Sequence, residues 1–494
     1  MDAISLRELV TVESAPAVMP SSPAKTYKGQ RQDYFEMYGL QRAATIPSSP
    51  SRPWPTDSSE DIEMSRPASP VLPSDGVEVL PSITDPYRNR FRFAATCFMQ
   101  IQNGLNDSAP GALIPYMEKH YDIGYAVVSL IFVGNAMGFI MAAGFIDLLR
   151  ERLGRARTLC LCQAIMAAAY VPIVCTAPFP VVVVCFFFTG FAMSVGLAIS
   201  NHYCGSLRNG TAVLGVMHGS YGVGGTVGPL IATSIVAAAH AIWSRFYFIT
   251  LAMALFNTFF APWAFAGYER EISPPPPPLV ATAAADDSGR PAMVPNPARR
   301  LAGMFSALSS RVVLLGALFI FAYQGAEVSI SGWVISFLIA SRNGDPSSVG
   351  YVTSGFWGGI TLGRFLLSAP AHRMGEKKFV YGVVVGAAVF ELLVWLVPNV
   401  IGDAVAVAIV GLLLGPVYPC AASVFMRGMS RSDVVSGLGV ISAFGSSGGA
   451  AAPFTTGLLA QAVGTFVLHP ICIFLFGVMI VCWYALPHRP KRTD

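Results

Sequence analysis

Charged side chains are scarce in this chain. Asp, Glu, Lys and Arg make up 12% of its 494 residues, whereas 53% are apolar. A water-soluble protein of this length needs a well-charged surface over several domains, so the scarcity excludes that class and indicates lipid as the main solvent. The nine cysteines (Cys97, Cys160, Cys162, Cys175, Cys185, Cys204, Cys420, Cys472 and Cys482) all fall within or at the ends of apolar runs. None sits in a loop where a disulfide framework would be built. Cys160 and Cys162 lie on different faces of a helix and have no histidine beside them, so no metal site is expected. A Gly-x4-Gly-Lys-Ser/Thr loop is lacking, which argues against an ATP-driven pump. A selectivity-filter-like stretch, a regular charge ladder and a clustered His or Asp motif are lacking too, which argues against a channel or a membrane enzyme. No cofactor is implied. The net charge of +4 reflects loop arginines and gives no reason to expect nucleic acid.

What is present is a series of long apolar runs. A bilayer core takes about 20 helical residues to cross. The runs predict twelve helical spans, at 93–116, 125–149, 158–178, 180–204, 212–239, 244–267, 312–340, 348–371, 379–399, 403–427, 435–463 and 466–486. Basic residues fall mostly on one side of them. Arg88, Arg90 and Arg92 precede the first span, and Arg150, Arg152, Arg155 and Arg157 follow the second. Arg208, Arg299, Arg300, Arg311, Arg373, Lys377, Lys378, Arg427, Arg431, Arg489, Lys491 and Arg492 lie on that same side. The opposite loops hold little beyond Lys119, Arg245 and Arg342. By the positive-inside rule both ends of the chain are expected in the cytoplasm, which requires an even number of spans.

Residues 1–88 are rich in Ser, Pro and acidic residues and lack apolar periodicity, so a disordered cytoplasmic tail is expected. A second low-complexity stretch at 268–311, with Pro274 to Pro278 in a row, reads as an extended cytoplasmic linker. The expected layout is a six-helix bundle at 89–267, the linker, a second bundle at 312–486 and a short tail at 487–494. The halves echo one another. A shift of 221 residues pairs Gly134 with Gly355, Gly138 with Gly359, Arg152 with Arg373 and Gly154 with Gly375. A shift of 224 pairs Gly215 with Gly439, Gly224 with Gly448, Gly225 with Gly449 and Pro229 with Pro453. Parallel six-helix repeats of this kind build many secondary transporters, with the substrate site between the halves near the midplane.

The loop after the second span carries Asp147, Glu151, Arg152, Gly154 and Arg155, and the second half holds a weaker copy at Arg373, Gly375 and Lys377. This acid-Arg-x-Gly-Arg core resembles the cytoplasmic loop of the major facilitator superfamily, except that Asp147 stands where the family has a glycine. The resemblance covers about 93–486. It implies the family's all-helical fold of two pseudo-symmetric six-helix bundles, working as a monomer by alternating access. The loop charges would form a conformational gate in addition to anchoring topology. Gly104-Leu105-Asn106-Asp107 with Gly111 and Pro115, and Tyr323-Gln324-Gly325-Ala326-Glu327 with Trp333, resemble fungal relatives of the fucose–proton symporter branch.

An ionisable group inside a span costs several kcal/mol and so needs a partner, water or a task. Asp107 falls near the middle of the first span, with Asn103 and Gly111 a turn away on its face and Asn106 beside it. Glu327 falls at similar depth in the seventh span, with Tyr323 and Ser331 on its face. A carboxyl group in a low-dielectric cavity can exchange protons near neutral pH, so these two are candidates for proton coupling or for binding substrate hydroxyls. A structural interhelical hydrogen bond is the plainer alternative. Arg364 in the eighth span would pair with Glu327 or an anionic substrate, or else snorkel to the surface. His218 would line the cavity, titrate, or bond a neighbouring helix. Trp357 and Tyr418 are candidate cavity walls, or ordinary packing. Glu391 in the ninth span has no assigned role.

The fifth span matches most of the drug–proton antiporter signature at Gly215, Gly224, Gly228 and Pro229, with Ala232 and Thr233 where that pattern has glycines. The branch resemblance and the paired carboxylates give the main reading, a proton-coupled secondary transporter of a small organic solute, sugar-like or another small polar metabolite, in the plasma membrane. The alternatives are a proton-antiport exporter of a more hydrophobic compound and, leaning on the long tail, a transporter-like nutrient sensor.

Overall fold

The computed structural model describes residues 81–272, 310–429 and 434–487. Most of the expected tail, most of the linker and the segment after 487 lie outside the described residues. Within them the chain is helical, with no strand. In lipid no water is available to bond a free backbone group, and a helix satisfies nearly all of its own.

The first half holds α1 (Asn89–Tyr121), α2 (Leu130–Val174), α3 (Phe179–Gly205), α4 (Gly210–Thr233), α5 (Tyr247–Phe265) and the short α6 (Tyr268–Ile272). A single turn, Tyr125–Val128, leads into α2. The second half holds α7 (Arg311–Arg342), α8 (Val352–Leu366), α9 (Ser368–Met374), α10 (Glu376–Leu396), α11 (Val400–Leu414), α12 (Val417–Gly428), α13 (Val434–Val463) and α14 (Leu468–Ala485). Eight stretches among the described residues are long and apolar enough to cross a membrane.

The repeat seen in the sequence is repeated in the packing. Gly154 breaks α2 at φ 72° and Gly375 separates α9 from α10 at φ 89°, a backbone conformation that favours glycine. Gly138 lies against the backbone of Phe187 and Phe191 on α3, and Gly359 against Ala408 and Leu412 on α11. Gly224 meets the Ile101 carbonyl of α1, as Gly448 meets the Phe321 carbonyl of α7. Small residues let these backbones approach closely, and so α1–α4 and α7–α13 are matching pairs.

At the end remote from the arginine-rich loops the halves meet. Gly457 of α13 faces Ser129 and Trp333, Gly350 faces Thr233, and Gly111 of α1 lies on the Ser331 backbone of α7. Toward the arginine-rich end, a Cβ added at Gly196 or Gly215 would meet no atom within 4 Å.

Two boundaries differ from those expected. Residues 81–88, read as tail, belong to the fold: Arg208 N–H donates to the Pro81 carbonyl at 2.8 Å, and the Asn89 amide donates to the Ser82 carbonyl at 2.8 Å. Residues 268–272, read as linker, form α6. The physical reason is local pairing that no apolar period announces, since α6 supplies the counter-charges to the buried Arg92 and the half-buried Arg155.

Candidate functional site

α1 and α4 approach so closely at Gly104 and Gly224 that polar side chains between them must satisfy one another. The Tyr221 hydroxyl donates to Asp107 Oδ2 at 2.9 Å, and the Asn106 amide donates to Oδ1 at 3.2 Å. Tyr170 on α2 donates to Asn106 Oδ1 at 3.0 Å. Three helices thus converge on one carboxylate. Asn103 is buried and its amide nitrogen donates to Gln100 at 2.9 Å within α1, while its Oδ1 finds no partner among the described residues.

In the second half Glu327 is 7% exposed and lies 3.7 Å from Arg364 Nη2. Of the options for Arg364, pairing with the acid is the one realised. The Tyr323 and Tyr418 rings face each other at 6.1 Å on the adjoining wall. Trp357 on α8 is buried and donates to Ser331 Oγ at 2.8 Å, and its ring stands edge-on to Tyr221 at 5.8 Å. His218 bonds Asn201 Oδ1 at 3.1 Å, which joins α4 to α3. Asp107, Tyr221, Trp357, Ser331, Glu327 and Arg364 therefore line the junction of the halves.

The arginine-rich loops distribute their charges unevenly. Asp147 pairs with Arg150 at 3.1 Å within its own helix, and Glu151, Arg152 and Arg373 are exposed. Arg155 is tied to a neighbouring element: its backbone N–H donates to Glu269 Oε1 at 2.6 Å, and its guanidinium lies 3.9 Å from that oxygen and 4.9 Å from the Tyr268 ring. Arg92 stacks on that same ring at 4.8 Å and binds Glu271 through two bonds of 2.6 and 2.7 Å. In the second half the position after Gly375 is Glu376, paired with Arg427 and accepting from Ser423 at 3.1 Å, so the charges are reversed across the repeat.

Several of these groups were not legible from sequence. Tyr221 drew no role from the sequence, Arg92 read as a topological anchor, and Glu269 and Glu271 as linker. Glu391 acquires a partner in His469 at 2.8 Å, with both side chains buried, and Arg342 binds Asp403 at 3.1 Å. A tyrosine three residues after a span histidine, flanked by glycines, was the available signal for Tyr221.

Arg92 is fully buried, so its charge depends on Glu271. Glu271→Ala is expected to lower the stability of the purified protein by about 2–3 kcal/mol, part of the cost being offset by the bonds Arg92 keeps to Ala264 and Asn89. Arg152→Ala should change it by less than about 0.5 kcal/mol. Thermal unfolding in detergent compares the two, and equal midpoints would contradict this ranking.

Two similar helical halves with ionisable groups at their junction define a membrane transporter rather than an enzyme. A profile of the Major Facilitator Superfamily matches residues 96–453, and the chain belongs to that superfamily. It is 26% identical over 435 residues to Bypass of stop codon protein 6 of Saccharomyces cerevisiae, covering 82% of this chain and 84% of the yeast one. It is 30% identical over 179 residues to a glucose/galactose transporter of Brucella abortus, covering 34% of this chain and 41% of that one. Multidrug resistance protein MdtG of Escherichia coli matches at 29% over 134 residues, 27% of this chain and 29% of MdtG. Among solved structures, a point mutant of nucleoside transporter NupG shares the fold, with a TM-score of 0.60 at 13% identity over 80% of this chain and 98% of that one. The chain is a multi-pass integral membrane protein.

Proposed function

We propose that this protein is a proton-coupled symporter of a small polar, sugar-like solute, working as a monomer by alternating access. The observation that carries the reading is the pair of acids at the junction. Asp107 and Glu327 stand on equivalent helices of the two halves, and each is held by groups that can release it: tyrosine and asparagine for one, arginine for the other. An acid that exchanges its hydrogen-bond partners on protonation can trade a proton against a solute hydroxyl. Similarity to a glucose/galactose transporter over part of the chain supports the sugar-like class.

The export reading rested on the glycines of the fifth span. Gly224 and Gly228 serve close packing on α1, and Gly448 does the same on α7, so these glycines have a packing role that carries no transport direction. The loop at Gly154, tied through Arg155 to Glu269, is the proposed gate, with Asp147, Glu151, Arg152 and Arg373 flanking it. We take the arginine-rich side as cytoplasmic and the membrane as the plasma membrane. The twelve-crossing count follows when α2 is divided at Gly154 and α1, α8 and α13 are added to the eight apolar stretches.

The test is uptake of labelled D-glucose and D-galactose by proteoliposomes under an imposed pH difference. Accumulation above equilibrium that an uncoupler abolishes is the expected result. Accumulation that runs against the proton flow would establish export instead. Topology is checked separately in a Cys175→Ser background, since Cys175 is exposed. In intact cells Ser348→Cys should label with an impermeant thiol reagent and Lys378→Cys should not. The reverse pattern would invert the topology.

A further inference from the structure

We propose that Tyr221 and Trp357 form a latch that transmits the charge state of Asp107 to the contact between the two halves. The proposal rests on the proton-coupled reading and names the side chains that connect protonation to movement. Tyr221 is the shared member of two contacts. Its hydroxyl donates to Asp107 on α1 at 2.9 Å, and the edge of its ring meets Trp357 of the other half at 5.8 Å and 71°. The indole is in turn fixed by its N–H, which donates to Ser331 Oγ on α7 at 2.8 Å. The Ser331 backbone lies on Gly111 of α1, which closes a ring of contacts through α1, α4, α8 and α7.

The backbone is shaped for this ring. A Cβ at Gly225, one turn after Tyr221, would stand 3.2 Å from the indole carbons, so glycine there lets Trp357 lie flat on α4. Gly104 lets the Tyr221 backbone approach α1 more closely still, its carbonyl standing where a Cβ would collide with it. Glu327 is one turn before Ser331 and Arg364 two turns after Trp357, so the same pair of helices carries the second acid site.

The switching step is a proton transfer only. With Asp107 ionised, the phenol donates a charge-assisted bond, roughly twice as strong as a neutral one. That bond holds the tyrosine ring against the indole. When Asp107 takes a proton from water or from solute-bound water, the carboxyl gains a donor and loses its charge. The phenol is then free to rotate, and the ring contact across the halves weakens. The ionisable groups within electrostatic reach of this exchange are Tyr170 from α2, Tyr221 from α4, Glu327 from α7 and, through Tyr221 and Glu327, Arg364 from α8.

The experiment needs no solute. Spin labels at positions 208 and 378, both exposed at the arginine-rich end, report the separation of the halves by pulsed electron resonance in lipid nanodiscs. Cys97, Cys160 and Cys175 are replaced, the remaining cysteines being buried. Otherwise wild-type protein should change its distance distribution between mildly acidic and mildly alkaline buffer. Tyr221→Phe, Trp357→Phe and Ser331→Ala should each lose at least half of that pH-dependent amplitude, and Ser331→Thr, which keeps the acceptor, should retain it. A purely structural role would lower thermal stability and leave the amplitude intact. If Tyr221→Phe fails to fold, Ser331→Ala decides, because it removes only the indole's acceptor. Loss of amplitude in Asp107→Asn with full amplitude in the latch variants overturns the latch alone. Full amplitude in Asp107→Asn, or none in the wild type, also overturns the latch, whereas the proton-coupled reading falls only if the proteoliposome assay shows no uncoupler-sensitive accumulation.

Discussion

Asp107→Asn and Glu327→Gln should each abolish accumulation against a gradient in proteoliposomes with an imposed pH difference. The amide keeps the shape of the acid and removes its titration, so proton exchange is lost in both. The structure separates the two. Asn at 107 can still accept from Tyr221, so solute exchange without a proton gradient should persist in that variant. Gln at 327 leaves the Arg364 charge without its acid in a mostly buried place, so this variant should lose exchange as well. Full gradient-driven accumulation by both variants, compared with wild type at equal reconstitution, would remove these acids from the mechanism. His218, already bonded to Asn201, and the Glu391–His469 pair would be the next groups to examine.

Gly104→Ala and Gly448→Ala should cost most of the folded protein. A Cβ at either position would fall inside the backbone of the facing helix, of Tyr221 and Gly225 in one case and of Phe321 in the other. Side chains can yield to an added methyl, but two packed backbones cannot. The loss should therefore reach or exceed the upper end of the overpacking range, about 3 kcal/mol. Gly144 is the control, since a Cβ there meets nothing within 4 Å. Gly144→Ala should be neutral or stabilising by up to about 1 kcal/mol, the ordinary helix preference for alanine. Thermal unfolding followed by size-exclusion fluorescence measures all three. A Gly104→Ala midpoint equal to wild type would show that the α1–α4 approach is looser than described.

The contrast between these glycines marks where sequence reading stops. Gly224 and Gly448 were paired by their spacing, and both turned out to meet the first helix of their half. Gly154 and Gly375 were paired in the same way, and both take positive φ. A spacing carries such information because the halves fold as copies, so equal positions meet equal neighbours. The charges were less legible. Arg155 and Glu376 occupy equivalent positions with opposite signs, and each finds its counter-ion on a different helix end. Arg92 counts with the other arginines of its side, yet a count of loop arginines cannot distinguish a fully buried one from an exposed one.

The sequence by itself determined the solvent, the helical class, the two-fold repeat and the two acids deep in the spans. Those follow from run length, composition and the cost of a charge in lipid, which are properties of single segments. The tertiary structure alone decided which group holds each acid: Tyr221 for Asp107, Arg364 for Glu327, and the indole of Trp357 between the halves. The partners lie 114 residues apart along the chain for the first bond. A helix period says which face a residue occupies. Only the packing of one helix on another says what that face meets.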